Sequence, residues 1–176
     1  YTSYVTGGAT LSIPLLQTYC DDGADAACEL IALWQEDHPE SQVVDLGDDR
    51  VWAAVGLAPW DAFTVLGEGM SDIKIDVLTL TGTEDETTPL SMVSGLVAAL
   101  GETPNDFGQL ADTGHFSFSP IACQMMAGDG CGEEYLDLDI VKDLTNQSVT
   151  SFLGRSLGMA GASEQFPVVS EHVTWE

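Results

Sequence analysis

Positive charge is what this sequence has least of. Only 4 Lys+Arg stand against 29 Asp+Glu, a formal net charge of −25. Binding a phosphate backbone relies on Lys and Arg to release its counter-ions, so nucleic acid is excluded as a partner. An anionic membrane surface is disfavoured on the same ground. Long apolar runs are lacking too. No stretch reaches the ~18 residues a membrane-spanning helix needs, and no transmembrane segment is expected. No low-complexity tract or repeat interrupts the chain, and no signal peptide or initiator Met opens it. Its abrupt start at Tyr1 leads us to expect a processed product or a fragment.

Metal-ligand spacing is also missing. The cysteines fall in two local pairs, Cys20/Cys28 and Cys123/Cys131, with no nearby His to complete a zinc set. Disulfides are the expected use, which implies an oxidising compartment and a secreted or periplasmic location. Four cysteines allow three pairings. Closure of two short polar loops, Cys20–Cys28 and Cys123–Cys131, is the expected one. The acids run from Asp21 to Glu176 instead of massing in one tail, as on a solvated surface that keeps the protein soluble. A calcium site is the competing use, although neither residues 21–25 nor 129–134 fit an EF-hand loop. No cofactor motif is present.

What is there is globular: 44% hydrophobic residues, enough for one domain with a proper core. Residues 51–58, Val-Trp-Ala-Ala-Val-Gly-Leu-Ala before Pro59, form a continuous apolar run. That predicts a strand buried on both faces, as in a parallel sheet. Residues 75–81 predict a second strand ending at Gly82. Thr88 then caps a helix that starts at Pro89 and stops before Gly101. A weaker strand spans about 106–112. Apolar positions from Leu138 to Leu157 recur at helical spacing up to Gly158. Residues 26–37 look helical, while Gly7, Gly8 and Pro14 break up the start. The tail from Ala162 to Glu176 reads as irregular. Alternating strands and helices predict an α/β fold with a parallel sheet. Three strands leave an apolar edge open, so a segment upstream, on the same or another chain, is expected to complete the sheet.

Two loops carry residues suited to chemistry. Gly82-Thr83-Glu84-Asp85-Glu86-Thr87-Thr88-Pro89 follows one strand, and Thr113-Gly114-His115-Phe116-Ser117-Phe118-Ser119-Pro120 follows the next. In open parallel sheets ligands bind at the carboxyl ends of strands. A carboxylate there fixes an imidazole tautomer, and the imidazole takes a proton from a nucleophile. Asp85 as a plain helix cap and His115 as a structural histidine are the competing uses. His38 and His172 are expected to face solvent, and Met125 and Met126 to serve in core or lid.

These two loops resemble the acid and histidine loops of the α/β-hydrolases. Residues 51–60, ending Leu57-Ala58-Pro59-Trp60, are similar to the preceding strand of the dienelactone-hydrolase-like and platelet-activating-factor-acetylhydrolase-like branches. The helix from Asp139 through Leu153 resembles the acetylhydrolase C-terminal region, so the resemblance covers about residues 43–158. It implies that residues 1–176 are the C-terminal segment of one α/β-hydrolase domain, with parallel strands and covering helices. It also implies a carboxylic-ester hydrolase, esterase- or lipase-like, with Asp85 as the acid and His115 as the base of a Ser-His-Asp triad. In the acetylhydrolase the acid follows the earlier strand, where this chain has Ala58-Pro59-Trp60, so Asp61 is the reserve acid. Trp60, Phe63, Phe116 and Phe118 are candidates to wall a small-molecule or polymeric ester pocket, or else are ordinary core aromatics.

No Gly-x-Ser-x-Gly elbow occurs in the chain. Ser3, in Tyr-Thr-Ser-Tyr-Val, lacks a preceding strand and a glycine two residues on. Tyr1 to Ala9 resembles the helix that continues from such an elbow, which implies a serine on a preceding segment. An alternative alignment sets Gly7-Gly8 against the elbow glycines. It puts Val5 at the nucleophile position and implies a catalytically dead binding module.

Overall fold

The computed structural model describes residues 2–22, 26–60, 63–125 and 127–176. In chain order these form α1 (Thr2–Thr6), β1 (Leu11–Ser12), α2 (Ile13–Asp22), α3 (Ala26–Asp37), β2 (Val43–Val44), β3 (Ala53–Leu57) and α4 (Phe63–Leu66). A 3₁₀ helix, Gly67–Asp72, then leads to β4 (Asp76–Gly82), α5 (Leu90–Ala99), β5 (Asn105–Leu110) and a second 3₁₀ turn, His115–Phe118. The chain closes with α6 (Pro120–Met125), α7 (Leu138–Ser156), α8 (Ala162–Gln165) and β6 (Val173–Trp175).

The main sheet has the order β3-β4-β5-β6, and β1 and β2 pair separately. β4 lies between parallel neighbours, with Leu57 opposite Leu80 on one side and Gly82 opposite Leu110 on the other. Its side chains alternate between two cores. Val77 faces a cluster built from Tyr4, Ile13, Leu16, Leu66, Met70, Leu96 and Leu100. Leu78 and Leu80 face Val141, Leu144, Phe152 and Phe166 across the sheet. Helices therefore cover both faces, the layering of an α/β domain. Val77, Leu78 and Leu80, fully buried in β4, each contribute about 1.5–3 kcal/mol of transfer free energy.

Several expectations need correction. β3 is not buried on both faces: Ala54 and Gly56 are buried, Ala53 and Val55 only partly, and Leu57 is 40% exposed. Its single pairing among the described residues is with β4, and a strand with one open side cannot be sheltered like a central one. The tail is not irregular. β6 pairs antiparallel with β5, Leu110 opposite Val173, so the sheet is mostly but not wholly parallel. This short strand holds because Trp175 packs edge-on against Phe166, with Nε1 donating to the Val168 carbonyl at 2.9 Å. His172, in the turn before β6, is half-buried instead of solvent-facing.

The long helix matches its apolar spacing. Asp137 caps α7 by accepting from the Asp139 N–H, and Gly158, at φ +67°, ends it. Two disulfides are formed, Cys20–Cys28 between α2 and α3 and Cys123–Cys131 around the loop after α6, and no cysteine is free. Among the described residues no helix is long and apolar enough to cross a membrane.

Candidate active site

The two loops meet at the carboxyl ends of β4 and β5. Beyond the last paired residues, Gly82 and Leu110, the chains stay in contact through Thr83 N–H to the Leu110 carbonyl at 2.9 Å and Glu84 N–H to the Thr113 carbonyl at 3.0 Å. A Cβ on Gly82 would collide with the Thr113 carbonyl, so only glycine permits this approach.

At this junction Asp85 Oδ2 lies 3.1 Å from His115 Nδ1. The Asp85 side chain is fully buried and that of His115 is 24% exposed. Among the described residues no Lys or Arg pairs with the buried carboxylate; hydrogen-bond donors satisfy it instead. Thr88 N–H donates to Oδ1 at 2.5 Å, and the Thr88 hydroxyl donates to Oδ2 at 2.8 Å. The same hydroxyl lies 3.1 Å from His115 Nδ1, so in the tautomer protonated at Nδ1 that N–H is within reach of both Asp85 and Thr88. The third contact of Thr88 Oγ1, at 3.4 Å, reaches the carbonyl of Ala58 at the end of β3. Three strand ends thus converge on one buried threonine.

That role corrects the reading of Thr88 as a helix cap. The N-cap of α5 is Pro89 and no side chain caps it, because the Thr88 hydroxyl is turned toward the carboxylate and imidazole. The Asp-x-x-Thr spacing was the available signal, since an Asp side chain often accepts from the backbone a few residues on. Asp129 was read only as part of an acidic stretch. Its carboxylate is engaged with backbone N–H groups of both loops. Burial pushes the Asp129 carboxyl up, but the hydrogen bonds from His115, Thr87 and Glu86 outweigh it and hold the group below its usual range.

The aromatic candidates take different positions. Phe116 stands edge-on to the His115 ring at 5.1 Å between centroids. Phe118 packs against the second core and Trp60 is 46% exposed. Asp61 and the Phe63 side chain lie outside the described residues, as do Tyr1 and Met126. Met125 is 80% exposed and so is no core residue; it ends a short helix without enough neighbours to enclose it. Val5 is buried in α1. His38 is exposed and stacks on Trp34 at 4.5 Å. No group of three His, Cys, Asp or Glu among the described residues is arranged to hold a metal ion. No family model matches the chain, and no curated protein matches it.

Proposed function

We propose that this chain supplies the acid and base of a Ser-His-Asp carboxylic-ester hydrolase of the α/β-hydrolase type. Asp85 is the acid and His115 the base, and the serine comes from a preceding segment laid against β3. The observation that carries this reading is the 3.1 Å contact between a fully buried Asp85 carboxylate and a partly exposed His115 ring at the carboxyl ends of parallel strands. With Nδ1 committed to Asp85 and Thr88, Nε2 is the nitrogen left to take the serine proton. The serine attacks the ester carbonyl, and Nε2 returns the proton to the leaving alcohol. Water activated by the same nitrogen then hydrolyses the acyl-enzyme. The Asp85 carboxylate orients the ring and stabilises the imidazolium formed in each half-reaction. The two disulfides support a secreted or periplasmic setting.

The test is fluorophosphonate labelling and p-nitrophenyl ester hydrolysis by the complete protein. We expect one labelled serine, and a loss of turnover of about 10⁴-fold in Asp85→Asn with the fold intact. Absence of both labelling and hydrolysis in the complete protein would reject the enzyme in favour of a binding module without a nucleophile.

A further inference from the structure

The loop closed by Cys123–Cys131 carries a carboxylate placed to do more than solvate the surface. Asp129 Oδ1 accepts from His115 N–H at 2.8 Å. Its Oδ2 accepts from Glu86 N–H at 2.9 Å and from Thr87 N–H at 2.7 Å. His115 bears the imidazole, and Glu86 and Thr87 lie between Asp85 and Thr88. One carboxylate therefore spans the two loops that carry the acid and the base. The main chain beside it adds to the junction: the Asp129 carbonyl accepts from Phe116 N–H at 2.9 Å, and the Gly130 carbonyl from the Ser117 hydroxyl at 3.0 Å. A Cβ on Gly114 would strike Asp129 Oδ1 and Gly130 N, so the loop lies flat against the histidine turn.

We infer that Asp129, held in the Cys123–Cys131 loop, is a positioning residue that fixes the acid loop and the histidine turn relative to each other. It reaches neither reacting atom and acts through the backbones that carry Asp85 and His115. Backbone pairing alone does not do this, because the β4–β5 register ends at Gly82 and Leu110 and the bonds beyond it stop at Glu84 and Thr113, before Asp85 and His115. Displacement by about 1 Å at either loop is enough to break a catalytic hydrogen bond. An ionised carboxylate serving three N–H donors resists that displacement, since such bonds are short and charge-assisted. The hydrogen bonds that hold its carboxyl below the usual range keep it ionised at neutral pH. Asparagine in its place offers one acceptor oxygen and turns an NH₂ toward N–H donors, so half of the clamp is lost.

This inference rests on the proposed roles of Asp85 and His115, and its test uses two readouts that fail separately. In the complete protein, the downfield proton resonance of His115 Nδ1–H reports the bond to Asp85, and kcat and KM on p-nitrophenyl butyrate report chemistry. Asp129→Asn should shift the resonance upfield or broaden it away, and lower kcat by about ten- to a hundred-fold with KM within about two-fold. Asp139→Asn, the same charge change at an exposed side chain of α7, should move neither. The Cys123→Ser, Cys131→Ser pair should move the resonance in the same direction as Asp129→Asn. A normal resonance and normal kcat in Asp129→Asn would overturn the inference. Should that variant fail to fold, an unchanged resonance in the cysteine pair would overturn it instead. If the complete protein hydrolyses no ester, the hydrolase reading fails and the resonance alone decides whether Asp129 positions His115.

Discussion

Replacing Thr88 with Val tests how the buried Asp85 charge is satisfied. Thr88 is fully buried, and its hydroxyl donates at 2.8 Å to a carboxylate that has no exposure to water. Valine keeps the shape and leaves no cavity, so the change isolates the hydroxyl. A hydrogen bond to an ionised group contributes about 1.5–3 kcal/mol, and the contact to the Ala58 carbonyl, at 3.4 Å, adds little. The added apolar burial of a methyl group offsets part of this. We expect a net loss of about 2 kcal/mol, or about 4–8 °C in Tm for a domain of this size. The assay is urea unfolding followed by tryptophan fluorescence, run in the native and Asp85→Asn backgrounds. Asparagine turns the bond into a neutral one of about 0.5–1.5 kcal/mol, so Thr88→Val should cost about 1 kcal/mol less there. A loss below about 0.5 kcal/mol, or equal losses in the two backgrounds, would refute the reasoning that Thr88 acts on the charge of Asp85.

Two further outcomes follow from charged groups. The Arg155 guanidinium engages Asp106 through both carboxylate oxygens and lies 4.5 Å from the Phe166 ring centroid and 5.4 Å from that of Phe152. Because both partners are partly exposed, we expect Arg155→Lys to cost only about 1 kcal/mol, and Arg155→Ala more; a Lys variant with the native urea midpoint would contradict this. The Asp129 carboxyl lies below its ordinary value when folded, so its contribution to stability is complete above about pH 4 and is lost as pH falls through the folded value. The gap in urea midpoint between the native protein and Asp129→Asn should therefore close between neutral pH and the acid range, and a gap independent of pH would exclude the clamp as its source.

The elements most legible in the sequence were those whose burial is decided by their own composition. β4 runs Asp-Val-Leu-Thr-Leu-Thr-Gly, apolar or β-branched on both faces, and stands at the centre of the sheet as that pattern requires. α7 carries its spacing from Leu138 onward, with its cap and stop in place. β3 misled because alanine and glycine read as apolar without stating which face is covered. Only Ala54 and Gly56, on the side of α1, are fully enclosed. β6 was missed because three residues are too few for a period of two to show. At the site, Asp85 and His115 stand at strand ends, where local pattern points to them. Asp129 escaped because its partners are backbone N–H groups of residues far away in the sequence, which no spacing rule records.

The open side of β3 bears on the proposed source of the serine. Sheet edges meant to stay unpaired are usually short or interrupted by charge, proline or a bulge. β6, the other outer strand, is only three residues long and is followed by Glu176. β3 has no such device: Ala-Ala-Val-Gly-Leu carries no charge and no proline, and it follows exposed Trp52 and ends on exposed Leu57. A parallel strand added to it would end level with Leu57 and Leu80, just before Gly82 on β4. β3 itself continues into Ala58, whose carbonyl lies 3.4 Å from the Thr88 hydroxyl oxygen, and Thr88 contacts both Asp85 and His115. A turn leaving the end of such a strand would therefore emerge at the same end of the sheet as the imidazole that a nucleophile must reach. On the proposed reading, one threonine joins the strand whose edge is left without protection to the imidazole that does the chemistry.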